Sequence, residues 1–215
     1  MPTQVNATDV TIKEVTIRSS TGKYDLIPHL LELSIYENIY RSSLTSTVVL
    51  NDSVNLPNKL ALVGQETIDI DISLSGFDAG GEEEHILSIK PPPMHVNALN
   101  NRAYNKPKSQ MFTLSLYSEQ YMSSVHSKVS RSYFDKTISE IVSDIYLTYL
   151  DDRDASEKKN NIRGLYAEPT ERTERIIIPN LNPIDAILWL SKRAVPEESF
   201  GVNYVFFETI NGSFF

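Results

Sequence analysis

Hydrophobic and polar residues alternate along much of the first half of the chain, which is typical of β-strands with one buried face. The clearest alternation covers residues 67–75, where isoleucines and a leucine fall on one face and polar residues, Asp69 and Asp71 among them, fall on the other. Weaker alternation predicts further strands over residues 10–17, 31–35, 44–50, 85–90 and 111–117. Several short strands separated by turn residues predict a barrel or a sandwich.

The first of these strands changes phase along its length. The apolar residues of segment 10–12 and those of segment 15–17 have opposite parity. One extra residue near Lys13-Glu14 would restore the alternation, so a β-bulge is predicted there. A bulge also suits a closed, strongly twisted sheet.

The second half of the chain changes to a helical period. Apolar residues in segment 136–150 recur at the spacing of an amphipathic helix. Asp135 is one candidate for its N-cap, and Thr137 with Glu140 forms a competing capping box. Charged residues without apolar periodicity predict a loop over residues 151–175.

The remaining segment predicts a short α/β arrangement. Residues 176–178 predict a buried strand, and Asn182-Pro183 predicts the start of a second helix. A strand is expected over residues 202–208, and Asn211-Gly212 predicts a tight hairpin turn. Because the chain stops soon after this turn, we expect it to be a fragment or its last strand to be completed elsewhere.

The fold class predicted from these patterns is α+β and mainly β. An antiparallel β-barrel domain is expected over residues 1–118. An α/β domain with two helices, a strand and a hairpin is expected over residues 119–215, incomplete at its C-terminus.

Composition and charge exclude several functions. The 215 residues carry a net charge of −8 and include no cysteine, so disulfides and cysteine-based sites are excluded. The acidic excess is spread evenly and no basic stripe appears, which argues against tight binding of nucleic acid. No apolar stretch approaches the length of a membrane span.

The sequence predicts no catalytic residue, cofactor site or metal site. It lacks a serine nucleophile elbow, and its histidines show no spacing typical of metal ligands. Arg102, Tyr104, Lys106 and Lys108 mix basic and aromatic side chains as a single-strand binder does. The segment is short and contains Asn and Pro, so a connecting loop is favoured.

Asp69 and Asp71 have two interpretations. In an isolated barrel they simply lie on the solvent face. If that face lined a channel, the two carboxylates would repel phosphates and keep passing DNA from sticking.

Two segments resemble a known family. Residues 37–73 contain Arg41 in a turn, a strand, Asn51-Asp52-Ser53, Gly64-Gln65-Glu66 and an alternating strand. Residues 181–215 contain a helix opened by proline, an aromatic strand and an Asn-Gly turn. Both patterns are similar to those of the baseplate central hub proteins of contractile-tailed, myovirus-type bacteriophages.

This resemblance implies a structural protein of the virion tail baseplate, assembled in the host cytoplasm. Such hubs form homotrimeric rings, in which two tube-like barrels per subunit match a hexameric tail tube. The implied partners are the central spike protein, the tail tube protein and the baseplate wedge proteins, with DNA only in passage and no specific binding. A chain of 215 residues is too short for two barrels, so the match requires further C-terminal residues or another symmetry.

Two other functions remain open at this point. A related tail or injection-machine component, such as a spike-base or distal tube protein, would show the same patterns. A tail-associated hydrolase would need two acids that converge in a cleft, and no spacing singles out such a pair.

Overall fold

The structure, a computed structural model, describes residues 10–75, 86–106, 109–151, 164–197 and 204–215. It confirms an α+β, mainly β fold with antiparallel sheets. The strands are β1 Val10–Ser19, β2 Gly22–Asp25, β3 Leu30–Tyr36, β4 Thr45–Asp52, β5 Thr67–Ser75, β6 Ile86–Ile89, β7 Met94–Lys106, β8 Ser109–Ser118, β9 Val129–Thr137, β10 Leu165–Tyr166, β11 Thr173–Leu181, β12 Phe207–Thr209 and β13 Gly212–Phe214. The helices are α1 Leu56–Lys59, α2 Glu119–His126, α3 Ile138–Tyr149 and α4 Pro183–Ser191, and a 3₁₀ turn spans Ile27–His29.

The described residues divide into two compact units. One unit contains the chain up to Ser34 together with Ser46–Leu116, and the other contains Ile35–Thr45 together with Tyr117–Phe215. The assignment of residues 1–118 and 119–215 to two domains stays a prediction.

The first unit is built on one large sheet. Its strands follow the order β2-β1-β5-β7-β8-β4-β3, and β6 also pairs with β5. Along β8 every second residue is buried, including Phe112, Leu114 and Leu116 as predicted. The inward face of this sheet is buried, and Leu56 of the short α1 is buried with it. Among the described residues no pairing joins β2 to β3, so the strand order stays an open path.

The predicted bulge is confirmed. The register between β1 and β5 shifts between Ile12 and Glu14, so Lys13 is the extra residue. Beyond it Val15 and Ile17 are fully buried. The phase change in the sequence therefore marks the point where the strand twists to keep its apolar residues in the core.

Several strands differ from the sequence prediction. The loop expected around Arg102 and Tyr104 is wrong, because both residues belong to β7, which continues to Lys106. Lys108 lies outside the described residues. The strand expected over residues 202–208 begins only at Phe207, and residues 202 and 203 are not described.

The second unit packs helices onto a two-stranded ribbon. β9 and β11 pair antiparallel, and their inward residues meet α3 and α4 in one core. This core consists of Val129, Tyr133, Ile138, Ile141, Val142, Ile145, Tyr146, Leu150, Ile176, Ile178, Ile184, Ala186, Ile187, Leu190, Ala194, Phe206 and Phe215. The predicted apolar stripe of α3 is therefore confirmed as its buried face.

The structure decides between the two candidate caps of α3. Thr137 occupies the N-cap, its hydroxyl accepts from the Glu140 backbone N–H at 3.3 Å, and the Glu140 carboxylate accepts from the Thr137 N–H at 2.9 Å. Asp135 instead lies within β9 with a φ of 51°. The helix begins at Thr137 because the capping box satisfies two backbone donors at once.

The predicted hairpin at the end of the chain is present. β12 and β13 pair through Thr209 and Gly212, with Ile210 and Asn211 between them. Gly212 has a φ of 146°, a backbone conformation that glycine adopts without strain. β13 also pairs in parallel with β10. None of the helices in the described parts of the chain is long and apolar enough to cross a lipid bilayer.

Candidate functional site

Asp52 holds the loop that follows β4. Its side chain is 1% exposed. Its carboxylate accepts hydrogen bonds from the backbone N–H groups of Val54 and Leu56, both at 2.8 Å. Gln110 donates to the same carboxylate from Nε2 at 2.7 Å. The Asp of the Asn-Asp-Ser motif therefore shapes the backbone and fastens it to β8.

Glu66 closes the other end of this loop. It is 1% exposed, and its carboxylate accepts from the backbone N–H groups of Val63 at 2.8 Å and Gly64 at 2.9 Å. Gly64 has a φ of 91°, which a residue with a Cβ adopts only with strain. The Gly-Gln-Glu motif is thus a loop closure that sets the start of β5.

A polar cleft of about 360 Å³ opens beside the Asp52 loop. It is lined by Asp52, Ser53, Asn55, Asn58, Arg102, Tyr104, Ser109 and Gln110. The Arg102 Nε donates to the Gln110 side-chain oxygen at 2.8 Å, which extends the chain of hydrogen bonds from Asp52 to the guanidinium group. Sequence reasoning missed this cleft, although polar Asp52 and Gln110 share the parity of buried apolar neighbours in their strands.

Asp69 and Asp71 both lie in ion pairs. Arg18 Nε lies 2.5 Å from a carboxylate oxygen of Asp69. Lys90 Nζ lies 3.8 Å from Asp71, which also accepts from Ser88 Oγ at 3.4 Å. The two side chains retain only 13% and 21% of their exposure. This face therefore carries mixed charge, and its position along a channel stays a prediction.

The second unit contains a segment fixed by two carboxylates. Segment 35–45 meets the β12–β13 hairpin, where the backbone N–H of Ile210 donates to Glu37 at 2.6 Å. In return, the backbone N–H of Leu44 donates to Glu208 at 2.8 Å. Glu208 is 3% exposed and also accepts from the Ser118 hydroxyl at 2.5 Å. An acidic residue directly after two phenylalanines was the sequence signal that was missed.

This fixed segment exposes large apolar side chains. Ile39 is 52% exposed and Tyr40 is 82% exposed, and Tyr36 just before them is 49% exposed. These three large apolar side chains fall within residues 36–40 of the chain. We refer to Tyr36, Ile39 and Tyr40 as the apolar turn.

A further polar cluster ties β9 to α3. The Tyr133 hydroxyl donates to Asp144 at 2.8 Å, and Arg131 Nη1 donates to the same oxygen at 2.7 Å. Burial, followed by the hydrogen bond and charge of Asp144, raises the pKa of Tyr133 well above its ordinary value. The tyrosine is therefore a neutral donor, and the cluster stabilises the fold.

In the part of the chain that the structure describes, no three His, Cys, Asp or Glu side chains come together in a group that could hold a metal ion. Asp52, Glu66 and Glu208 accept hydrogen bonds from backbone N–H groups, and Asp69, Asp71 and Asp144 pair with neighbouring cations. These carboxylates therefore stabilise loops and ion pairs of the fold.

No protein-family model matches the sequence, and no curated protein matches it. Solved structures do match. The 43 kDa tail protein of prophage MuSo2 from Shewanella oneidensis has 13% sequence identity and a TM-score of 0.52, over 94% of this chain and 53% of that protein. The chain therefore shares the fold of a phage tail protein and spans about half of its length.

Two further structures align at lower scores. A tail protein from Neisseria meningitidis MC58 has 12% identity and a TM-score of 0.48, over 90% of this chain and 50% of that one. The E. coli c3393 protein, a component of the type VI secretion system, has 9% identity and a TM-score of 0.42, over 96% and 48%.

Proposed function

We propose that this chain is a structural component of a phage tail baseplate, where it forms a hub ring that joins the tail tube to the central spike. The observation that carries the proposal is the fold shared with the prophage tail protein along almost the whole chain. At this identity the comparison supports the fold alone, so the role is our inference.

The motif residues support the proposal. The Asp and Glu of the two hub-like motifs, Asp52 and Glu66, hold the two ends of the link between β4 and β5. Each is buried and accepts two backbone N–H groups. Both residues therefore have a structural role in this chain, which fits a scaffold protein.

The large sheet supports assembly into a ring. β2 and β3 are the outer strands of the open path in the described residues. An outer strand presents backbone groups that a neighbouring chain can pair with, and a closed cyclic oligomer satisfies them without leaving a free edge. We propose a homotrimer in which residues 1–118 supply the tube-like barrel.

The partners proposed for this ring are the spike, the tail tube and the wedge proteins of the baseplate. DNA passes through without specific binding, because the net charge of −8 opposes adhesion to phosphates. The ring is a virion component assembled in the host cytoplasm, and it performs no catalysis.

Deletion of the gene in the phage or prophage that encodes this chain tests the proposal. Electron micrographs of lysates should show filled heads but no tails ending in a baseplate, and a plasmid copy should restore them. A plasmid carrying a frameshifted copy is the matched control. Tails of normal form and infectivity in the deletion strain would refute a baseplate role.

A further inference from the structure

The polar cleft beside the Asp52 loop has the features of a binding site that the assembly role does not use. Its eight described lining residues are all polar, and no aliphatic side chain is among them. Its volume of about 360 Å³ lies within the range of small-ligand pockets, about 300–1,000 Å³. A hydrophilic ligand with one or two six-membered rings fits a cleft of this size and polarity.

The cationic wall of the cleft is held in place. Gln110, 5% exposed, accepts from Arg102 Nε at 2.8 Å and donates to Asp52 at 2.7 Å. Asp52 is itself fixed by two backbone N–H groups. The Arg102 guanidinium also lies over the Tyr104 ring, 6.0 Å from its centre. Its hydrogen bond to Gln110 comes from Nε, so its two Nη groups can form the forked contact that a carboxylate prefers.

The rest of the lining suits a polyhydroxylated ring. The side-chain amides of Asn55 and Asn58 each donate and accept, as a hydroxyl group does. Tyr104 is 75% exposed and offers a flat ring at the rim. A peptide would instead call for a sheet edge, an apolar groove or an aromatic-lined slot. A single-stranded nucleic acid would call for a groove with several cations, and Arg102 is the one cation among the described lining residues.

We propose that this cleft binds an acidic sugar unit, with the carboxylate of a uronic acid on Arg102 and its hydroxyl groups on Asn55 and Asn58. The inference does not depend on the hub assignment. It concerns a saccharide, whether free or at the surface of a cell.

Saturation-transfer NMR on the full chain tests this site with D-glucuronate as the probe. We expect saturation of the sugar ring protons by the wild-type protein, with D-glucose and N-acetylglutamate binding at least about tenfold more weakly, since each lacks one of the two recognised features. Equal binding of glucose would refute the carboxylate contact. Equal binding of N-acetylglutamate would refute the sugar, and an absence of glucuronate binding would refute the site.

Two variants locate the binding. Arg102→Gln should weaken glucuronate by about tenfold or more, because it removes the charged donors. Tyr104→Ala should also weaken it, because it removes the ring at the rim and its contact with the Arg102 guanidinium. It removes none of the hydrogen bonds from Arg102 to Asp52, so it is a second variant in case Arg102→Gln disturbs the fold. Arg175→Gln removes an exposed arginine outside the cleft, paired with Asp135, and should change nothing. Loss of binding in the Arg175 variant, or full binding in both cleft variants, would overturn the proposal.

Discussion

Buried carboxylates in this protein act as acceptors for backbone N–H groups. Asp52, Glu66 and Glu208 are each at most 3% exposed, and each holds a loop or segment through hydrogen bonds of 2.8–2.9 Å from the main chain. Hydrogen bonds to a charged acceptor contribute more than neutral ones, and buried donors that lose their acceptor are costly.

Asp52→Ala should lower the free energy of unfolding by about 2–4 kcal/mol, because two backbone donors and Gln110 lose their acceptor. Urea denaturation followed by circular dichroism measures it. The neighbouring exposed Ser53→Ala is the matched control and should change stability by less than about 0.5 kcal/mol. Equal effects of the two substitutions would show that the loop does not depend on the carboxylate.

The ion pairs of Asp69 and Asp71 predict that removing the two negative charges lets this face bind DNA. The double variant Asp69→Asn with Asp71→Asn leaves Arg18 and Lys90 without their carboxylates, so a positive patch appears on that face. Fluorescence anisotropy with labelled duplex DNA at low salt should detect binding that wild type lacks, and this binding should weaken as salt is added.

A matched double variant distinguishes the effect of charge on the Asp69 face from the effect of the net charge of the protein. Glu171→Asn with Asp185→Asn changes the net charge equally at exposed positions on other elements. It should leave DNA binding as weak as in wild type. If both double variants bind DNA equally, net charge alone controls adhesion and the Asp69 face has no special position.

At the scale of elements, strands were predictable where one buried face runs through the whole strand. β5 matches the predicted residues 67–75, and the β1 bulge falls where the parity changes. β7 was missed because only its first part, with Met94 and Val96, is buried. Its polar remainder is held by pairing with a neighbouring strand, and no local pattern encodes that tertiary contact.

The candidate sites were less predictable than the strands. Arg102 and Gln110 are adjacent only because β7 and β8 lie side by side, and Asp52 joins them from β4. Similarly, Glu208 reaches Leu44 across 164 positions of sequence. Polar residues at inward positions gave the one local signal of these contacts.

The start of α3 gives a prediction at this scale. Thr137→Ala should destabilise the protein by about 1 kcal/mol, because the capping box loses the hydroxyl that accepts from the Glu140 N–H. Asp135→Asn, at the rejected cap, should stay within about 0.5 kcal/mol, since Asn tolerates the same positive φ. Thermal unfolding of both variants measures these two changes in stability. A larger loss for the Asp135 variant would contradict the observed cap.

At the scale of the whole molecule, we propose that the apolar turn contacts another subunit, in addition to the outer strands β2 and β3. Ile39→Ser with Tyr40→Ser should shift the chain to smaller species on a sizing column, because an interface loses two large apolar groups. Val63→Ser, also at an exposed apolar residue (72%), is the control and should leave the mass unchanged. An unchanged mass in the double variant would place the subunit contact elsewhere.

The mass of the purified chain in solution, measured by light scattering behind a sizing column, tests the ring most directly. The account predicts a mass near three times 24.3 kDa, stable on dilution, because a closed ring satisfies every subunit contact at once. A monomer of 24.3 kDa at high protein concentration would contradict a ring built by this chain alone.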